Sequence, residues 1–287
     1  MNRLACMALV TFPLVIGATP SDRWHSESFP EVQKETERRS FTFSQPGGSR
    51  QLEIDNVEGA IDVTGYEGDS VQVEIEKTIR GRSKDDIERA KEEVRLQVTE
   101  KGNRVDIYVD GPFRCQDGSF RSRRTGYRVT CNFHVKAPRE CDLFLRTVNE
   151  GDIRVGNVSG KFDVENINGG IQISETAGPG RAHAINGAVK VLFIRNPVGD
   201  CSFSSLNGDV DVALRQGLSA DLWFKTFNGE AYTDYELVPL PSPAAEQERH
   251  DGKFVYKSSR FAGARAGKGG PQLKFDTLNG NIHVTAR

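Results

Sequence analysis

The sequence predicts a mainly β protein: a β-solenoid or β-helix-like stack of Asn-Gly-turn repeats, with one short helix in its N-terminal part. Three observations predict it. An apolar residue, Asn and Gly, with Glu150 intervening in the first copy, recur at Asn149, Asn168, Asn186, Asn207, Asn228 and Asn279, and a strand-like segment follows that carries Val or Ile at alternate places in every copy but that of Asn228. Four residues before each Asn stands a core-type residue (Leu145, Val164, Ala182, Phe203, Phe224, Phe275), and two before it a small or polar one (Thr147, Asn166, Ala184, Ser205, Thr226, Thr277), which is strand alternation. The copies from Asn149 to Asn228 recur every 18 to 21 residues, a period that belongs to a repeat architecture.

Taken in order, residues 1–18 read as a signal peptide. Asn2 and Arg3 supply a positive start, and Leu4 to Gly17 an apolar run too short to span a bilayer. Residues 19–40, rich in Ser, Glu and Arg, read as a disordered lead-in. Residues 41–140 form an N-terminal β-rich part: Gln51 to Ile54, Ile61 to Val63 and Val71 to Ile75 alternate as strands, and strands resume at 95–99, 104–110 and 126–136. Between them 83–94 reads as a charged helix capped by Ser83, with Asp85 and Asp86 in its first turn, lying as a solvated cover over one end of the sheet.

Residues 141–287 carry the repeats, interrupted by an insertion over 235–272. Each repeat is a strand, an Asn-Gly turn and a second strand, the turn residues being chosen for their tolerance of positive φ. Asn-Gly between strands also signals a hairpin meander, but a regular period with one residue type recurring in register favours stacking. Stacking about 4.8 Å apart would align the six Asn side chains as a hydrogen-bonded ladder. A degenerate copy, Asn56 to Val63, stands apart from them, and Glu150 displaces Gly in the first repeat.

An exported compartment permits disulfides among Cys115, Cys131, Cys141 and Cys201. Cys115 and Cys131 flank an Arg- and Gly-rich segment and are the favoured pair, with Cys141 as rival partner for either. Cys201 falls in the inward column with Leu222 and Leu273 and reads as a buried free thiol. No pair has CxxC spacing, so no metal site is assigned.

The stretch Lys77-Thr78-Ile79-Arg80-Gly81 before a charged helix, a strand leading into Lys136-Ala137-Pro138, and Leu-x-x-x-Asn-Gly-x-Ile-x-Val repeats together resemble the LiaG-like adhesin family of bacterial β-strand-repeat proteins. The resemblance runs from about Phe41 to Arg287. It implies adhesion or an envelope-stress association, without a mechanism.

No catalytic residue is assigned. Asp209 and Asp211 share a strand face and could serve as an acid–base pair or hold a cation, but such pairs more often solvate a strand. Gly263 to Gly270 has the Gly and Lys content of a phosphate loop without its Gly-Lys-Ser/Thr ending. His25, His134, His183, His250 and His283 are scattered. A formal net charge of -2 with interspersed signs excludes a basic nucleic-acid footprint. The insertion interleaves Lys253, Lys257, Arg260, Arg265 and Lys268 with Phe254, Tyr256 and Phe261; Lys253, Tyr256, Lys257 and Arg260 are its candidate binding residues for an anionic polymer or surface. The sequence therefore reads as an exported, non-enzymatic envelope protein (periplasmic, surface-bound or secreted) acting as adhesin, scaffold or binding module, without a cofactor and without a transmembrane segment in the mature chain. Its partner would be an envelope polysaccharide, an anionic surface or an envelope protein. A carbohydrate-active enzyme on a β-helix and a periplasmic envelope-stress regulatory module are the alternatives.

Overall fold

The structure, a computed structural model, describes residues 29–43, 48–115, 125–241, 246–250, 253–257 and 261–287, with side chains between 242 and 260 left undescribed. The expected signal segment and residues 19–28 of the expected lead-in lie outside these residues. The chain begins with β1 (Glu31–Thr42), β2 (Arg50–Asp55), β3 (Ile61–Tyr66) and β4 (Ser70–Gly81), then α1 (Lys84–Glu93), β5 (Arg95–Lys101), β6 (Arg104–Asp110) and β7 (Tyr127–Pro138). The repeats supply β8 (Cys141–Thr147), β9 (Ile153–Gly156), β10 (Phe162–Asn166), β11 (Ile171–Thr176), β12 (Gly180–Asn186), β13 (Val189–Phe193), β14 (Cys201–Asn207), β15 (Val210–Leu214), β16 (Ala220–Asn228) and β17 (Ala231–Thr233). Then follow β18 (Leu237–Pro239), β19 (Glu246–His250), β20 (Lys253–Lys257), β21 (Ala262–Ala266), β22 (Gln272–Asn279) and β23 (Ile282–Ala286).

Two large mixed sheets result. Sheet A runs β1-β4-β7-β3-β9-β11-β13-β15-β23-β17, and sheet B runs β18-β21-β16-β22-β14-β12-β10-β8-β2-β6-β5; β19 and β20 form a separate hairpin. Each large sheet ends in free edge strands, so neither closes into a barrel. In every repeat the strand before the Asn lies in sheet B and the strand after it in sheet A. Successive repeats pair in parallel and in register: Val164 stands opposite Ala182, and Ile171 opposite Val189. The apolar positions of both sheets thereby face one another and merge into one buried cluster from Phe41 to Val284.

The spatial order departs from the sequence order at both ends. The β2–β3 unit lies between β6–β7 and β8–β9, and the last unit, β22–β23, lies between β14–β15 and β16–β17. Phe275 of that last unit is sandwiched between Phe203 and Phe224, with ring centroids 5.7 and 5.3 Å away. Burying a side chain of this size contributes about 1.5–3 kcal/mol, so the out-of-order insertion is held by its core as well as by its two ladders.

Four expectations are corrected. The lead-in to residue 40 is not wholly disordered, since Glu31–Thr42 forms an edge strand antiparallel to β4. Its mostly exposed, charged side chains give no hydrophobic signal, because main-chain bonds hold it. The degenerate copy is in register two residues later than its Asn suggests: Glu58, not Asn56, stands opposite Asn149, and Asn56 is a buried residue in line with Thr147. The turn glycines of the six full repeats do not have positive φ, although Gly59 of the degenerate copy does, at 119°. Gly187 is required because a Cβ there would lie 2.2 Å from the carbonyl oxygen of Gly169 in the neighbouring repeat, and Gly169, Gly208, Gly229 and Gly280 stack in the same way. In the first repeat Glu150 is an extra residue at φ 50°, which leaves Gly151 to take the stacked place. Finally, Cys115 and Cys131 are free thiols: Cys131 is buried in the core on β7 while Cys115, beyond the end of β6, is half-buried.

α1 buries Ile87 and Ala90 against β4, β7 and β1. The Ser83 hydroxyl accepts from the Asp86 N–H at 3.2 Å, and Asp85 and Asp86 meet the positive helix end.

Candidate binding surface

Three columns of side chains follow from the parallel register. In the first, each Asn amide donates from Nδ2 to the Oδ1 of the next: Asn168 to Asn149, Asn186 to Asn168 and Asn207 to Asn186 at 2.8 Å, then Asn279 to Asn207 and Asn228 to Asn279 at 2.7 Å. The ladder thus follows the spatial order, with Asn279 inside it. In the second column, the residue two before the Asn, buried in every case but Thr226, donates to the glycine carbonyl of the preceding repeat: Thr147 to Gly59 (2.9 Å), Asn166 to Gly151 (2.9 Å), Ser205 to Gly187 (2.8 Å), Thr277 to Gly208 (2.9 Å) and Thr226 to Gly280 (3.2 Å). Ala184 has no group with which to do so. The third column caps backbone donors, since Asp152 accepts from the Gly170 N–H, Asp209 from Asn281 and Asn281 from Glu230. These bonds explain why small polar residues recur beside a core.

The outer face of sheet A carries a row that crosses ten strands: Arg38, Glu74, His134, Asp62, Arg154, Gln172, Lys190, Asp211, His283 and Tyr232. Neighbours of opposite sign meet along it. Arg38 bonds Glu74 at 2.7 Å and holds that carboxyl below the usual range; Arg154 lies 3.4 Å from Asp62 and Lys190 3.8 Å from Asp211. His283 Nδ1 stands 2.8 Å from Asp211 Oδ1, and the Tyr232 ring stacks on His283 at 5.2 Å. Asp209 and Asp211 are therefore both engaged, one on a backbone N–H and the other between a lysine and a histidine.

Of the insertion residues, Lys253, Tyr256 and Lys257 fall on β20, paired with β19, but their side chains lie outside what is described, as does Arg260 altogether. Arg265 and Lys268 stand elsewhere: Arg265 on β21 makes a bidentate pair with Asp221 at 2.7 and 2.9 Å, and Lys268 follows in the turn into β22. The Gly-rich stretch is thus a strand and a tight turn with positive φ at Gly267, Gly269 and Gly270, and β21 covers β16. His183 is half-buried on the outer face of β12, its Nδ1 2.8 Å from the Ser204 hydroxyl. Burial pushes the Cys131 and Cys201 thiols up to about 11 and Cys141 to about 12, the behaviour of packed rather than reactive sulfur. Among the described residues no group of three or more His, Cys, Asp or Glu side chains is arranged to hold a metal ion.

Sequence reasoning missed a hollow of about 580 Å³ on the outer face of sheet B, where Phe144, Lys161, Asp163, Arg181, Ser202 and Lys274 converge. Phe144 is 39% exposed there. These residues differ in type and lie in five different strands or their flanks, so only the register brings them together.

No protein-family model matches the chain, and the search of curated proteins found no match. Among solved structures, the chain is similar to a "putative cell adhesion protein" from Clostridium sporogenes (10% identity, 88% of this chain and 100% of that one covered, TM-score 0.42). It is also similar to a "putative adhesin" from Bacteroides fragilis (12%, 88% and 97%, TM-score 0.26) and a "putative lipid binding protein" from Parabacteroides distasonis (13%, 87% and 96%, TM-score 0.24). At such identities and scores, function is left to be read from the chain's own surface.

Proposed function

We propose that this chain is an exported, non-enzymatic β-solenoid of the bacterial cell envelope, with two strands per turn, that binds or scaffolds through its outer faces in the manner of an adhesin. The observation that carries this reading is the sheet A row. Its carboxylates have cross-strand partners, Lys190 and His283 at Asp211 and Arg154 at Asp62, so the face is mixed in charge rather than a convergent acid–base site, and it holds an open hollow of about 370 Å³ beside Gln172, Lys190, Asp211 and His283. The parallel register and the unbroken Asn ladder support the solenoid description, because both repeat one geometry from unit to unit. Envelope polysaccharide, an anionic surface and an envelope protein are the partner classes.

The purified chain is to be screened against envelope polysaccharides, peptidoglycan and anionic vesicles, with product release followed in the same wells. Binding without turnover is the expected result. Turnover lost in Asp209→Asn or Asp211→Asn would replace this reading by a carbohydrate-active enzyme.

A further inference from the structure

Along sheet B the position five residues before each repeat Asn points outward. In spatial order the row reads Phe144, Asp163, Arg181, Ser202, Lys274, Trp223. Six adjacent strands at about 4.8 Å spacing make it about 24 Å long, with an aromatic side chain at either end. Ser202 is the small member, and its place between Arg181 and Lys274 opens the hollow.

The polar groups in the hollow are unequally committed. Arg181 is held by Glu165 at 2.7 Å, and Asp200 accepts the Gln272 N–H at 2.8 Å. By contrast, Lys161 and Lys274 make no ion pair among the described residues. Asp163 Oδ1 is buried without a hydrogen-bond partner there, and burial raises this carboxyl above its ordinary range. This carboxylate is left short of one donor, which a ligand hydroxyl reaching it would supply. A half-exposed aromatic platform, a hidden acceptor and two free ammonium groups ask for a ligand with an apolar C–H face, hydroxyl donors and anionic substituents.

We infer that this row is a binding cleft for an acidic polysaccharide, a uronate-type sugar chain laid across the strands from Phe144 toward Trp223. This deepens the proposed binding function and rests on it. One sugar stacks on the Phe144 ring, its hydroxyl donates to Asp163, and carboxylates along the chain meet Lys161 and Lys274. A bound polymer crosses the strands, so its repeating units meet a surface that itself repeats with each strand.

The test is titration calorimetry of the full chain with polygalacturonate oligomers, cello-oligomers as the uncharged control and phosphatidylglycerol vesicles. Three variants are compared with the parent after circular dichroism: Phe144→Ala, Lys274→Ala and Ser202→Trp, the last filling the hollow while leaving every charge in place. The expected result is binding of the acidic oligomers, weakened about tenfold or more by Phe144→Ala and by Ser202→Trp, with Lys274→Ala also reducing its salt dependence. Acidic-oligomer binding that none of the three variants changes overturns the cleft while leaving the proposed binding function intact. Equal binding of the uncharged oligomers overturns the acidic assignment, and binding of vesicles alone overturns the sugar. Product release from the oligomers overturns both this inference and the non-enzymatic reading.

Discussion

Removing one amide from the Asn ladder has a cost that can be counted in rungs. Asn186 takes part in two, donating to Asn168 and accepting from Asn207, both at 2.8 Å; Asn207 takes part in two, and Asn228 in one, donating to Asn279 at 2.7 Å. A hydrogen bond contributes about 0.5–1.5 kcal/mol net, and exposed amides belong at the lower end of that range. Asn186→Ala should therefore cost about 1 kcal/mol and Asn228→Ala about 0.5 kcal/mol, since Ala keeps the backbone bonds of the turn. The double variant of Asn186 and Asn207 removes three distinct rungs, because the two residues share one, whereas the single losses sum to four. Its destabilisation should be about three quarters of the sum of the singles, a coupling that only a shared bond produces. Urea unfolding of the parent, the three single variants and the double variant, followed by circular dichroism, reads these differences, with midpoints compared at constant m-value. An Asn228→Ala loss equal to that of Asn186→Ala, or a double variant that is strictly additive, would refute the assignment of the ladder as a stabilising element.

The remaining local predictions rest on the stacked glycines, on the column of donors to glycine carbonyls and on one half-buried acid. Gly187→Ala should destabilise by more than the loss of any ladder rung, because its methyl meets the Gly169 carbonyl oxygen at 2.2 Å and backbone in two repeats must separate; thermal unfolding checks it. Thr277→Val should cost about 1–3 kcal/mol through the orphaned Gly208 carbonyl, while Ala184→Ser should stabilise by about 0.5–1 kcal/mol by supplying the one donor that column lacks, both measured by urea unfolding. Glu58 is raised above the ordinary carboxylate range, with burial the largest cause despite its bonds to Thr130 and Arg128. The folded state therefore binds its proton more tightly than the unfolded state, and stability falls as pH rises from the unfolded value through the raised one. Glu58→Gln should then be more stable than the parent at neutral pH, with the advantage shrinking as pH falls toward about 4.5, the unperturbed carboxylate region. An advantage that grows toward acid would show the sign to be wrong.

Much of this architecture was legible because the repeats carry one residue type per structural role. Asn186 and Asn207 are ladder residues in sequence and in space, and Phe203 and Phe275 announce an inward column. What was not legible came from contacts between repeats rather than within them. The need for Gly187 lies in the neighbouring carbonyl, which no single repeat reveals, so tolerance of positive φ was credited instead. The register of Asn56 was misjudged because Asn serves two columns, the exposed ladder and the buried donors where Asn166 also stands. The strand at Glu31–Thr42 is held by main-chain pairing, and the Phe144–Asp163 hollow combines unlike residues that lie 19 positions apart in sequence.

The deepest consequence of the inter-repeat contacts is topological. A stack built in sequence order loses only an end when its last unit is removed, and fraying stops at the next repeat. Here the last unit in sequence is an interior one in space. Deleting residues 271–287 would remove β22 and β23 from between β14–β15 and β16–β17, take Phe275 from between two phenylalanine rings and break two ladder rungs at once. The β16–β17 unit and the β21 strand that pairs with it would then have no neighbour on the side of the stack. Truncation should therefore release the whole stretch 216–270 to limited proteolysis and hydrogen exchange while β8 to β13 keep their protection. Should the truncated chain protect β16 as the parent does, β16–β17 would have closed directly onto β14–β15. The out-of-order insertion would then be a dispensable addition rather than the piece that joins the end of the stack to its body.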